Sequence, residues 1–179
     1  MRCVALLRGI NVGGRTRLPM ADLRVLLADL GHENVVTYLQ SGNAVFEAGQ
    51  NDADAIGRDI EAGITERLGL DVRVMIRTGE EMAAISAANP FAVEAARNPK
   101  TVHVSFLAAH PDSERLATID PQQFAPDEFR LGDRAVYLHL AGGYHVSKIT
   151  NDFWERRLGL PATTRNWNTV SKLADLCRD

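Results

Sequence analysis

The residue types most capable of chemistry are gathered in three short segments. The first is Gly9-Ile10-Asn11-Val12-Gly13-Gly14-Arg15-Thr16-Arg17, directly after Arg8. Gly9, Gly13 and Gly14 relax backbone sterics, and Asn11 tolerates left-handed conformations. Successive free N–H groups ahead of a helix make an anion cradle, and Arg8, Arg15 and Arg17 add positive charge. The structural alternative is a flexible loop with solvated arginines. The segment matches neither the dinucleotide fingerprint G-x-G-x-x-G nor a phosphate loop ending in Gly-Lys-Ser/Thr, which argues against a standard nucleotide fold.

The second segment, Ser41-Gly42-Asn43, can aim a hydroxyl and an amide at the same place, although such turns usually serve a hairpin. The third runs from Thr163 to Lys172 and holds Arg165, Asn166, Trp167, Asn168, Thr169 and Ser171. Arg165 and Lys172 can hold phosphate or carboxylate. Asn166 or Asn168 can cap the following helix, which leaves Trp167 as either a ligand wall or a packing anchor. Lys148, Arg156, Arg157, Arg165 and Lys172 make this end of the chain locally basic, a pattern that a solvated helix face also explains.

Other chemistries find less support. His103 and His139 are expected on the polar faces of neighbouring strands, but with His145 they form no His-Glu-x-x-His or paired-Cys spacing, so no metal is assigned. Cys3 and Cys177 lie at opposite ends of the sequence, have no neighbour that activates a thiol, and read as reduced. Nothing points to covalent catalysis or to a cofactor.

The elements that must position these segments follow from periodicity. Arg2–Arg8 reads as a central strand, apolar on both sides. Pro19 opens a helix with Leu23, Leu26, Leu27 and Leu30 on one face, closed by Gly31. Val35–Gln40 and Ala44–Ala48 form a hairpin. Ile56, Ile60, Ile64 and Leu68 mark a helix ending near Gly69. Val72, Val74 and Ile76 alternate with Asp71, Arg73 and Arg77, which predicts a half-buried strand. The order β-α-β-β-α-β is the ferredoxin-like unit.

After a helix over 80–88 and a Pro-bracketed loop with a helical turn, the pattern restarts. Val102–Leu107 is a strand, and Asp112 opens a helix to about Thr118. A hairpin forms around Gly132-Asp133, and helices cover 152–157 and 168–177. No closing strand is visible in this half. The fold class is therefore α+β, two ferredoxin-like halves packed as one unit, with residues 1–78 in the first and 79–179 in the second.

A net charge of −3 confines any anion site to a local patch, and 6% aromatics is thin for a nucleic-acid surface. The first apolar run, Cys3–Leu7, is too short for a signal-peptide core or a membrane span. The expected address is the cytoplasm.

Three motifs, Leu7-Arg8-Gly9-Ile10-Asn11-Val12-Gly13-Gly14, Gln40-Ser41-Gly42-Asn43 and Arg165-Asn166-Trp167-Asn168-Thr169-Val170, resemble a bacterial family known only as a domain of unknown function. The resemblance spans nearly the whole chain and implies a compact α+β fold of ferredoxin-like halves, with no established activity, substrate or cofactor. The leading reading of the residues is a site for a phosphorylated or carboxylated small ligand. Its members are Arg8, Asn11, Gly13, Gly14, Ser41, Asn43, Arg165, Asn166, Trp167, Asn168 and Lys172. The rival is a nucleic-acid-binding module. A hydrolase or transferase using the same pocket, and a homo-oligomer interface, stand behind it.

Overall fold

The computed structural model describes residues 1–14 and 16–178. The chain divides into two units, Met1–Ala83 with Leu173–Asp179, and Ala84–Lys172.

The first unit runs β1 (Arg2–Leu7), α1 (Met20–Asp29), β2 (Glu33–Thr37), β3 (Asn43–Glu47), α2 (Ala53–Leu68) and β4 (Val74–Thr78), then enters α3 (Gly79–Ala87). Its four strands are antiparallel neighbours in the order β2-β3-β1-β4. Cys3, Ala5 and Leu7 of β1 join the leucines of α1 and Ile56, Ile60 and Ile64 of α2 in one core. Each of those isoleucines contributes roughly 1.5–3 kcal/mol by leaving water. Asp52 caps α2 by accepting the N–H groups of Asp54 and Ala55, and Gly69 ends it in a left-handed turn.

The second unit holds the end of α3 and then α4 (Ala92–Arg97), β5 (Val102–Leu107), α5 (Ser113–Ala117), β6 (Glu128–Gly132), β7 (Ala135–His139), α6 (Asn151–Leu158) and β8 (Ala162–Asn166). It also takes the start of α7 (Trp167–Arg178), which finishes in the first unit. Its sheet order is β6-β7-β5-β8, the same topology as the first. Trp154, Leu158 and Phe129 centre the core between α6 and the sheet. Both units are thus ferredoxin-like.

The likeness between the units extends to single hydrogen bonds. Leu7 N–H donates to the Gly42 carbonyl at 2.8 Å, and Leu107 N–H to that of Arg134 at 2.9 Å. Arg8 N–H meets the Arg73 carbonyl at 2.9 Å, and Ala108 N–H that of Pro161 at 3.0 Å. The register of β1 with β4 pairs Val4 with Arg77, as that of β5 with β8 pairs Val104 with Arg165. On this alignment Cys3 corresponds to His103, Ala5 to Ser105, Ile76 to Thr164 and Thr78 to Asn166.

Three sequence expectations are corrected. The second unit does have a closing strand. β8 reads Ala-Thr-Thr-Arg-Asn, and its polar composition concealed it. β4 is not half-buried, because Val74, Met75, Ile76 and Arg77 are all buried and both faces of the strand are covered. His103 does not lie on a solvent-facing side, since every residue of β5 is buried.

Candidate functional site

In the first unit the β1–α1 loop is held by Asn11, which stands at φ 55°. Its N–H donates to the Thr16 carbonyl at 2.7 Å. Its Nδ2 donates to the carbonyls of Leu18 (2.9 Å) and Gln40 (2.7 Å), and its Oδ1 accepts the Leu18 N–H at 3.0 Å. Both amide hydrogens are thus engaged with backbone. The Asn11–Gln40 bond ties the loop to the β2–β3 turn. There Gly42 sits at φ 77°, and a Cβ in its place would lie 2.7 Å from Leu7 Cβ and Ile10 Cδ1. Only glycine meets both demands. Asn43 is fully buried, and its Nδ2 donates to the Tyr38 carbonyl (2.9 Å) and Ser41 Oγ (3.0 Å).

The structure therefore brings Asn11, Ser41 and Asn43 together around the Ile10–Leu7 corner. Gly13 and Gly14, at φ 63° and 73°, lie exposed beside Val12. Arg8 is half-buried, Arg17 is exposed, and Arg15 lies outside the described residues.

Arg165, Asn166, Trp167, Asn168 and Lys172 belong to the second unit. Asn166 rather than Asn168 caps α7, accepting the Thr169 N–H at 3.0 Å, while Asn168 and Lys172 are exposed. Arg165 is not a solvated cation. It is 7% exposed, and its guanidinium donates to Thr163 Oγ1 (2.7 Å) and the Thr164 carbonyl (2.9 Å). Burial pulls its pKa down to about 10, so it stays charged at neutral pH. It therefore stands apart from Lys148, Arg156 and Arg157, which are exposed.

Sequence reasoning missed the equivalent of Arg165 in the other unit. Arg77 is 1% exposed and donates to the carbonyl of the residue before it, Ile76, at 2.8 Å. Arg165 makes the same bond to Thr164. Aligning the two closing strands, each running into a capped helix, would have exposed the pair. The fixed alternation of β4 hid it.

Trp167 is half-buried and lines a cleft of about 260 Å³ with Ser86 and Ala87 of α3, Asn89, and Ala92, Ala95 and Ala96 of α4. Asn89 Oδ1 accepts the Phe91 N–H at 2.9 Å, which fixes the orientation of the amide. Its Nδ2 is shielded from solvent and has no acceptor among the described residues. A shielded donor without a partner costs about 1–3 kcal/mol.

A polar network lies under α6, where the first unit has Cys3, Ala5 and Ile76 in its core. Thr164 Oγ1 donates to Asn151 Oδ1 at 2.6 Å, so the 2.7 Å contact of Ser105 and Thr164 has the serine as donor. His103 is 7% exposed and its ring lies 5.5 Å from that of Tyr144, with Nδ1 lacking a partner among the described residues. Burial lowers its pKa. Cys3 and Cys177 are free thiols, both buried, and burial raises the pKa of each. Among the described residues no three His, Cys, Asp or Glu side chains cluster as a metal site, and no helix is long and apolar enough to cross a membrane.

The model of the family described as "Protein of unknown function (DUF1697)" matches residues 1–137. The chain belongs to the DUF1697 family. Its fold is also that of a solved structure, the conserved bacterial protein SP0830 from Streptococcus pneumoniae. The two are 21% identical, with a TM-score of 0.78, over 99% of this chain and 98% of that one. No curated protein matches the sequence. The family description assigns no activity, and at this identity the structural likeness carries the fold alone.

Proposed function

We propose that the protein binds a small anionic ligand, and that the second unit carries its site at the start of α7. The observation behind this reading is the Trp167 cleft. Trp167, Ser86 and Asn89 line it together with small alanines, beside a segment that already supplies Arg165 and Lys172. Ligand sites typically combine a mostly apolar wall with a few placed polar groups. Arg165 supplies a charge two residues before the indole, and exposed Lys172 a second one.

In the first unit, Arg8 and the exposed backbone of Gly13 and Gly14 make a second candidate contact for an anion, one that stands by itself. Asn11, Ser41 and Asn43 hold that backbone in shape, and Asn166 orients α7 as its cap.

The test is thermal stability against inorganic phosphate, ribose 5-phosphate, citrate and mononucleotides, with W167A and K172A beside the wild type. A ligand at a hundredfold excess over its Kd should stabilise the native state by about 2.7 kcal/mol. Both variants should lose most of that shift. A wild type indifferent to all four, or a W167A protein that responds as well as wild type, removes the proposal.

A further inference from the structure

We propose that β6 is the edge along which two copies of this chain pair, joining their second-unit sheets into one continuous antiparallel sheet. The two sheets of one chain have four edge strands, β2 and β4 in the first and β6 and β8 in the second. β4 and β8 are almost wholly buried, so neither offers an open edge. β2 is exposed but blunted. Its register against β3 shifts between Glu33 and Val36, Asn34 stands at φ 52°, and Arg24 of α1 donates to Thr37 Oγ1 at 2.6 Å. Bulges and long cationic side chains of this kind keep strand edges from pairing. β6 has no such break. Its five residues pair with β7 in unbroken register, and Glu128, Arg130, Leu131 and Gly132 are exposed.

Backbone geometry decides which groups of β6 are on offer. Leu140, directly after β7, donates its N–H to the Thr101 carbonyl at 2.8 Å, on the β5 side. Bonding along a strand alternates, so Ala135, Tyr137 and His139 of β7 turn their N–H and C=O groups the other way, to β6. Their partners there are Gly132, Arg130 and Glu128. Phe129 and Leu131 alternate with these and direct their backbone groups outward. At Phe129 that position is closed, because the residue is buried and its carbonyl already accepts from Arg130 Nη1 at 2.9 Å. At Leu131, which is 50% exposed, it is open.

Charge and access select a second copy and one register. Two copies meeting antiparallel about a two-fold axis can centre on Phe129, Arg130 or Leu131. Centring on Phe129 calls on the closed position there and on the Asp127 N–H, which the Phe124 carbonyl holds at 2.9 Å. Centring on Arg130 sets two guanidiniums opposite each other, a repulsive pair. Centring on Leu131 meets neither obstacle. Leu131 then exchanges N–H and C=O bonds with its equivalent, and the two exposed side chains cover each other. Arg130 comes opposite Gly132, which has no side chain to obstruct it. Glu128 comes opposite Arg134 of the other copy at both ends of the paired segment, so the edge complements itself in charge.

The paired segment is short, so the interface falls below the roughly 1,200 Å² of standard complexes and the dimer should be weak, with a Kd on the order of 10 µM. The experiment is sedimentation equilibrium of the full chain between about 1 and 300 µM, a range that brackets such a Kd. Wild type, L131K, L131D and an equimolar mixture of the two variants are compared. Leu131 is exposed, so neither substitution disturbs a core, and urea midpoints check that each variant is folded.

The expected result is a wild-type mass that climbs from one chain towards two. L131K and L131D should each stay at one chain, because the two-fold axis sets like charges directly opposite. Their mixture should regain the dimer, since lysine then faces aspartate. A wild type that stays monomeric throughout would overturn the proposal and leave the β6 edge to a strand of another protein. A dimer that L131K and L131D leave intact would overturn it too, by placing the contact elsewhere. A mixture that fails to associate would remove the two-fold register centred on Leu131.

Discussion

His103 and Cys3 occupy the same position in two copies of one fold, and their difference has a measurable consequence. Burial lowers the His103 pKa in the folded state, so the unfolded chain takes up a proton more readily. The stability this neutral histidine contributes is whole above its unfolded pKa, about 6.5, and is lost as pH falls from there through the folded value. His32, its ring centred 4.5 Å from that of Phe46 in a tilted contact, is shifted in the same direction for the same reason. Urea midpoints measured at about pH 7.5 and 5.5 should fall with acid in wild type, and H103Q should recover part of the loss. An H103Q protein with the wild-type pH slope would show that His103 does not carry it. Gly42 supports a second residue-level prediction. G42A forces a methyl into Leu7 and Ile10 at a positive φ, and should cost about 2 kcal/mol or more by chemical denaturation. The need for a glycine at the turn was legible in Ser41-Gly42-Asn43. The role of Asn43 was not, because its partners are a carbonyl and a hydroxyl that only the folded turn brings near.

At the scale of elements, the sequence was most informative where one face of a helix is apolar. The isoleucine period of α2 and its Gly69 stop needed no tertiary knowledge. Strands buried on both faces were harder. The charges of β4 alternate as if half the strand met water, yet Arg77 is 1% exposed. β8 was invisible because threonines and an arginine satisfied within the fold look like loop from outside it. The elements also fix what Asn11 and Asn166 do, which residue type alone left open. N166A removes the α7 cap and should lower stability by about 1 kcal/mol. N11A gives up both the left-handed preference and the bonds to Leu18 and Gln40. N11G keeps the conformational freedom and loses only the bonds. Hydrogen exchange in the 9–18 loop should accelerate in both, and N11A should be the less stable of the two. Equal stability would mean that the left-handed turn costs nothing at this site.

For the molecule as a whole, the thiols give a direct test of burial. The Cys177 pKa is pushed from 9.0 to about 11 by burial, against the opposing effect of Arg2. Near pH 8 its thiolate fraction should be roughly a hundredfold below that of an ordinary cysteine. An aromatic disulfide reagent should therefore label native protein slowly and denatured protein at once; rapid native labelling would contradict the packing around it. The same helix end has another consequence. Arg2 Nε donates to the Leu176 carbonyl at 3.1 Å, and Leu173–Asp179 belong with Met1–Ala83 while everything between forms the other unit. A chain emerging from the ribosome can complete β5 through β8 while the first unit, its sheet already complete, still lacks the end of α7. The unit that begins first is finished last, because Leu173–Asp179 follow the whole of the other unit in the chain.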